Sequence, residues 1–347
     1  MGTLRSLGQS MGKAVLRITV VAIVTTLTSL ITLAPVSVFA ADTFALIISG
    51  ASGGPDYTDT YARWRQGLVT ALRTQDGFRD QHLFVLAERA GGGAGLASRD
   101  VVARTFAQLR ERMGNDSVLL VVLLGHGTFD DLDAKFNLVG PDLEAREWAG
   151  LLDTLPGRAV FVNTAAASFP FVSRLAAERR VVIAATSSMS QQYDTIFPEF
   201  FTAALMSNQG DLDKDGRVSV WEAFTFASAE VRRWFQRRGR LATERAILDD
   251  TGDGRGREAD DVGGDGIIAD GVFVGAGIPT TPFADPSLAP LVRRRDGLVA
   301  RVAELRSRHV ESGASTDEIV GEYRRRLEAL LIELARVSRE IRQHDGS

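Results

Sequence analysis

Val118-Leu119-Leu120-Val121-Val122-Leu123-Leu124 runs straight into Gly125-His126-Gly127, and this stretch decides how the rest of the chain reads. A half-exposed strand alternates apolar and polar residues, whereas an unbroken apolar run is buried on both faces, as in a parallel sheet covered by helices. The glycines end the run and allow a sharp change of direction. His126 therefore emerges at the carboxyl end of a buried strand, where open α/β folds gather ligands and catalysts.

Working outward, similar short apolar runs stand at Phe44 to Ile48, Leu83 to Ala87, Ala159 to Val162 and Val181 to Ala185. Between them lie helical patterns. Tyr61, Trp64, Leu68, Ala71 and Leu72 recur at helical spacing, and Val101 to Met113 does the same. Strands alternating with helices predict an α/β fold, a three-layer αβα sandwich on a mostly parallel sheet.

The chain has 347 residues, 45% hydrophobic and 24% charged, enough for one large domain with an appendage. Its formal charge of -4 offers no basic footprint for nucleic acid, so no nucleic-acid partner is expected. Arg5, Lys13 and Arg17 precede an apolar run from Ile18 to Pro35, followed by small residues at Val38 and Ala40. That pattern predicts a secretory signal peptide over residues 1–40 and a periplasmic or secreted protein. The alternative is an uncleaved segment that anchors the chain in a membrane. Cleavage would leave a formal charge of -4 - 3 = -7. Exported proteins often use disulfides, but this chain has no cysteine.

The next strand gives His126 its context, because Ala159-Val160-Phe161-Val162 opens into Asn163-Thr164-Ala165-Ala166-Ala167-Ser168. Here the chain resembles the caspase and legumain-like cysteine peptidases. In them one strand ends in His-Gly and the next in Ala-Cys, followed closely by Gly or Ser-Gly. The resemblance covers roughly residues 44–235 and implies the caspase-like sandwich. It places His126 on the general base, Ala166 on the nucleophilic cysteine and Ser168 on the serine of the legumain version. Alanine carries no nucleophilic atom, and in such a dyad the histidine exists to activate the sulfur. The resemblance thus implies a pseudoenzyme. Those families read acidic or amidated residues partly through an arginine after the first strand, whereas residues 50–59 here contain none.

Asp211-Leu212-Asp213-Lys214-Asp215-Gly216-Arg217-Val218-Ser219-Val220-Trp221-Glu222 fits a twelve-residue EF-hand calcium loop. Asp211, Asp213 and Asp215 alternate, Gly216 makes the sharp turn, Arg217 offers its carbonyl, Ser219 binds directly or through water, and Glu222 is the bidentate carboxylate. The exiting helix is expected over Ala223 to Phe235. A looser copy, with Asp249, Thr251, Asp253, Arg255 and Asp260 as ligands, opens a stretch to Asp270 that holds eight acidic residues. Such a stretch is a loop unless something orders it. Calcium outside cells is concentrated enough to fill even weak sites of this kind.

These patterns divide the chain into the signal segment, an α/β domain at 41–248, an acidic loop and linker at 249–290, and a C-terminal region at 291–347. In the last, Leu298, Val302, Leu305 and then Ile319 to Ile341 keep steps of three and four, interrupted at Ser312-Gly313. That predicts a helical hairpin or coiled-coil arm, with oligomerisation through it as one use. The expected role is non-catalytic: binding a protein or peptide in the cleft at His126. The alternatives are a hydrolase pairing His126 with a hydroxyl such as Ser168, and a calcium-dependent surface-attachment protein.

Overall fold

The computed structural model describes residues 42–74, 78–207, 209–213, 217–261, 265–273, part of 291–305, and 317–345. The expected signal segment, the 275–290 linker and the Ser312-Gly313 break lie outside the described residues. A seven-stranded sheet forms the frame, in the order β10-β9-β8-β4-β1-β2-β3. Its strands are β1 (Thr43–Ser49), β2 (Leu83–Ala87), β3 (Gly95–Leu96), β4 (Val118–Leu124), β8 (Arg158–Asn163), β9 (Arg180–Ala184) and β10 (Ile247–Asp249). All neighbours are parallel except β10, which runs antiparallel to β9.

The unbroken apolar strands are explained by what covers them. Ala45 and Ile47 of β1, with Leu120, Val122 and Leu124 of β4, pack under α1 (Pro55–Thr74), α5 (Phe197–Met206) and α6 (Val220–Arg237). The alternate residues Phe44, Leu46 and Ile48, with Leu119, Val121 and Leu123, face α2 (Arg99–Arg112), α3 (Ala145–Leu152) and α4 (Pro170–Leu175). Because successive side chains point to opposite faces, seven apolar residues in a row supply two cores at once. The result is an α/β sandwich of three layers.

Several elements differ from the sequence reading. A small antiparallel sheet of β5 (Gly127–Phe129), β6 (Ala134–Phe136) and β7 (Leu143–Glu144) follows His126 directly. The domain boundary drawn after residue 248 falls inside β10, and the acidic stretch beyond it includes the short helix α7 (Ile267–Asp270). α6 begins three residues earlier than expected, because Ser219 caps it.

At the C-terminal end, α8 (Asp317–Asp345) is one continuous helix. Leu334, Val337 and Ile341 on one face bury with Leu298, and Arg294 pairs with Glu333 at 2.9 Å. Among the described residues no helix is long and apolar enough to cross a membrane.

Candidate functional site

The chain passes from β1 outward to β2 and β3, then returns to the other side of β1 with β4. At such a reversal the connections leave in opposite directions and a crevice opens outside the carboxyl ends of the strands. A cleft of about 330 Å³ lies there, lined among others by Tyr57, Tyr61, Trp64, His126, Ala166 and Asp194. His126 comes from the end of β4, Ala166 from the turn after β8, and the three aromatic residues from the first turns of α1.

The His126 ring is held from several sides. Its Nε2 lies 3.0 Å from the Ser52 carbonyl and 3.2 Å from the Tyr61 hydroxyl. A carbonyl can only accept, so Nε2 carries the hydrogen. Nδ1 faces the Asp194 carboxylate at 3.5 Å. The Tyr57 ring meets the imidazole edge-on at 4.7 Å, and its hydroxyl donates to Asp194. That hydrogen bond, and then the charge of Asp194, push the Tyr57 phenol above its ordinary range. Burial, followed by the same charge, raises Tyr61. The Trp64 indole N–H is buried and has no hydrogen-bond partner among the described residues.

Ala166 lines the same cleft as His126. A Cβ placed on Gly127 would lie 2.6 Å from the Ala166 carbonyl oxygen, so the ends of the two loops touch and only glycine fits. The next residue, Ala167, has φ of +50°, a left-handed conformation costly for any residue with a Cβ. Its N–H donates to the Gln191 carbonyl at 3.1 Å, which helps fix the turn.

Ser168 takes no part in the cleft. Its side chain is fully buried, 3.1 Å from the Thr186 hydroxyl and accepting from the Thr186 N–H at 3.2 Å. Thr164 lines the cleft, but its hydroxyl donates to the Leu123 carbonyl at 2.6 Å. Both hydroxyls are spent on satisfying buried backbone and side-chain groups, the usual fate of short polar residues at strand ends.

Of the first acidic loop, Asp215 lies outside the described residues, while Asp211, Asp213 and Glu222 place carboxylate oxygens within 4.8 Å of one another. Ser219 and Glu222 form a capping box on α6: the Ser219 hydroxyl accepts from the Glu222 N–H at 3.1 Å, and Glu222 accepts from the Ser219 N–H at 2.8 Å. The other Glu222 oxygen accepts from the N–H groups of Leu212 and Asp213. These bonds fold the start of the loop onto its end, and burial still pushes the Glu222 carboxyl upward. Three hard oxygen donors so placed suit calcium. The Arg217 guanidinium lies over the Phe273 ring at 3.8 Å.

The looser second loop is assembled differently from the expectation. Asp249 accepts from the N–H groups of Thr251, Gly252 and Gly254, Asp253 from that of Arg255, and Asp260 pairs with Arg232 at 3.0 Å. Asp260 is thus drawn towards α6, and these residues do not converge on one point. The buried Asp250 ties in α7 through the N–H groups of Gly266 and Ala269 at 3.0 and 2.8 Å. Aspartate-to-backbone bonds therefore order much of this acidic stretch.

Sequence reasoning missed Asp194, because it stands in an irregular loop between β9 and α5 where no periodicity points to it. It also missed Glu244, which is buried and accepts from the N–H groups of Ile196 and Phe197 at 2.7 and 3.2 Å. Burial pushes that carboxyl up to about 7.

No protein-family model matches the chain, and no curated protein does. Solved structures it is similar to include a protein from Geobacter sulfurreducens, at 12% identity and a TM-score of 0.39, covering 60% of this chain and 92% of that one. Another is drICE, a caspase, at 14% identity and a TM-score of 0.38, covering 63% of this chain and 92% of that one.

Proposed function

We propose that this is an exported, calcium-holding domain that binds a protein or peptide partner in the cleft at His126 and has no peptidase chemistry. The observation that carries the reading is the pairing of His126 with Ala166 in one cleft at the sheet's carboxyl edge. Where a nucleophile would stand there is a methyl group, and Nε2 of the histidine is engaged by a carbonyl. A base without a nucleophile leaves only binding and weak polarisation to act on a substrate. The buried Ser168 gives no support to the hydrolase alternative. The convergence of Asp211, Asp213 and Glu222 supports the calcium part. Asp211, Asp213 and Glu222 would hold the ion, which would neutralise their charge and brace the start of α6.

Ala166→Cys tests the geometry directly, since the chain has no other cysteine. The introduced thiol should be alkylated by iodoacetamide several-fold faster than a free cysteine at neutral pH, and His126→Ala in that background should remove the advantage. A thiol no faster than free cysteine would mean that Ala166 does not stand at the nucleophile position. The unaltered protein should show no cleavage in a broad peptidase and esterase screen; turnover that disappears in His126→Ala would overturn the non-catalytic reading.

A further inference from the structure

We infer that the cleft selects a cationic side chain, an arginine or lysine of the partner peptide. The inference rests on the peptide-binding reading above and deepens it. Asp56 and Asp194 both line the cleft, and no lysine or arginine lines it with them. Among the described residues no lysine or arginine pairs with either carboxylate. Among the described residues Asp194 faces the Tyr57 hydroxyl and the His126 ring, and its side chain is 57% exposed, so lone pairs remain open to an incoming donor.

Aromatic residues stand next to these carboxylates. Tyr57, Tyr61 and Trp64 stand on one face of α1, with ring centroids 6.0 and 5.8 Å apart in sequence. Tyr61 and Trp64 are buried and back the site, while the exposed Tyr57 ring offers a face on which a cation is attracted by the negative π-cloud, and the Asp194 carboxylate beside it completes the pairing. Guanidinium suits the site best, because it is planar, weakly hydrated and able to stack while donating. The two tyrosines report the local field, both raised in part by the Asp194 charge. An acidic side chain would meet the carboxylates of Asp56 and Asp194 with no lysine or arginine lining the cleft beside them, the reverse of what the caspase and legumain resemblance implies.

The test uses the full chain and three blocked pentapeptides, acetyl-Gly-Ala-Xaa-Ala-Gly-amide, with arginine, citrulline or glutamate at the centre. Citrulline keeps the shape of arginine and removes its charge. Binding is measured by calorimetry, and occupancy of the cleft by the ring-proton resonances of His126. The arginine peptide should bind roughly tenfold more tightly than the citrulline peptide, with the glutamate peptide weakest, and Asp194→Asn should bring arginine and citrulline close to parity. If arginine and citrulline bind equally while both shift the His126 resonances, the cleft binds peptides but the cationic preference is overturned. If no peptide shifts those resonances, the peptide-binding reading falls as well.

Discussion

Gly127 has almost no room for a side chain, because a Cβ there would press on the Ala166 carbonyl oxygen at 2.6 Å and the Ala165 Cβ at 3.1 Å. Backbone atoms cannot step aside as a flexible side chain can, so Gly127→Ala should cost about 1–3 kcal/mol in urea unfolding. Gly150 makes the informative contrast. It lies within α3, where an added Cβ meets nothing within 4 Å, and alanine there should stabilise by about 0.5–1 kcal/mol. Equal effects at the two positions would mean that β5 and the Ala166 turn are not in contact. At this scale the sequence drew attention to His126 and Ala166 because each follows shortly after an unmistakable apolar strand, β4 or β8. It did not disclose Asp194, Tyr57 or the clash at Gly127, since these depend on loops meeting across the sheet edge. Tyr61 and Trp64 were legible only as one face of a helix, and the register that turns them towards His126 is tertiary.

The stretch 191–197 connects β9 to α5 and carries Asp194 and Thr195 into the cleft. It is held from below by Glu244, which caps the first N–H groups of α5, and by the Gln191 side chain, which accepts from Ser187 and Arg245. Burial raises the Glu244 carboxyl from 4.5 to about 7, so the folded state keeps its proton where the unfolded chain has lost it. Stability from this group is therefore fully present below about pH 4.5 and is lost as pH rises through about 7. The shift corresponds to about 3 kcal/mol across that window. Glu244→Gln removes the titration while leaving an oxygen to accept a backbone N–H. Its unfolding free energy should match the parent near pH 4.5 and exceed it at pH 8, whereas parallel pH profiles would show that Glu244 is ionised and solvated in the fold. None of this was visible beforehand, because Glu244 sits in a polar stretch that reads as surface. The long strands and helices were legible because periodicity encodes them. The meander β5–β7 and the edge strand β10 are too short to carry a pattern, and they exist because neighbouring strands offer them partners.

Across the whole molecule, the acidic loop at 211–222 is not an isolated appendage. The Val220 N–H donates to the Val272 carbonyl at 2.8 Å, so the end of the loop is bridged to the segment containing α7. Asp250 then joins that segment to the residue after β10, and β10 pairs with β9 in the main sheet. A cation held by Asp211, Asp213 and Glu222 would thus be linked by successive hydrogen bonds to the hydrophobic core. An ion that binds only the folded state stabilises it by mass action, by about 2.7 kcal/mol at a hundred times its dissociation constant. For a domain of about 200 residues that amounts to roughly 5–10 °C in Tm. Millimolar calcium should therefore raise the thermal midpoint of the chain, a chelator should reverse the rise, and Asp211→Ala should abolish both responses. Asp249→Ala makes the complementary case, because its carboxylate binds three backbone N–H groups. It should lower the midpoint with and without calcium by similar amounts. If instead Asp249→Ala removes the calcium response and Asp211→Ala does not, the ion belongs to the second acidic loop and the assignment of the first is wrong.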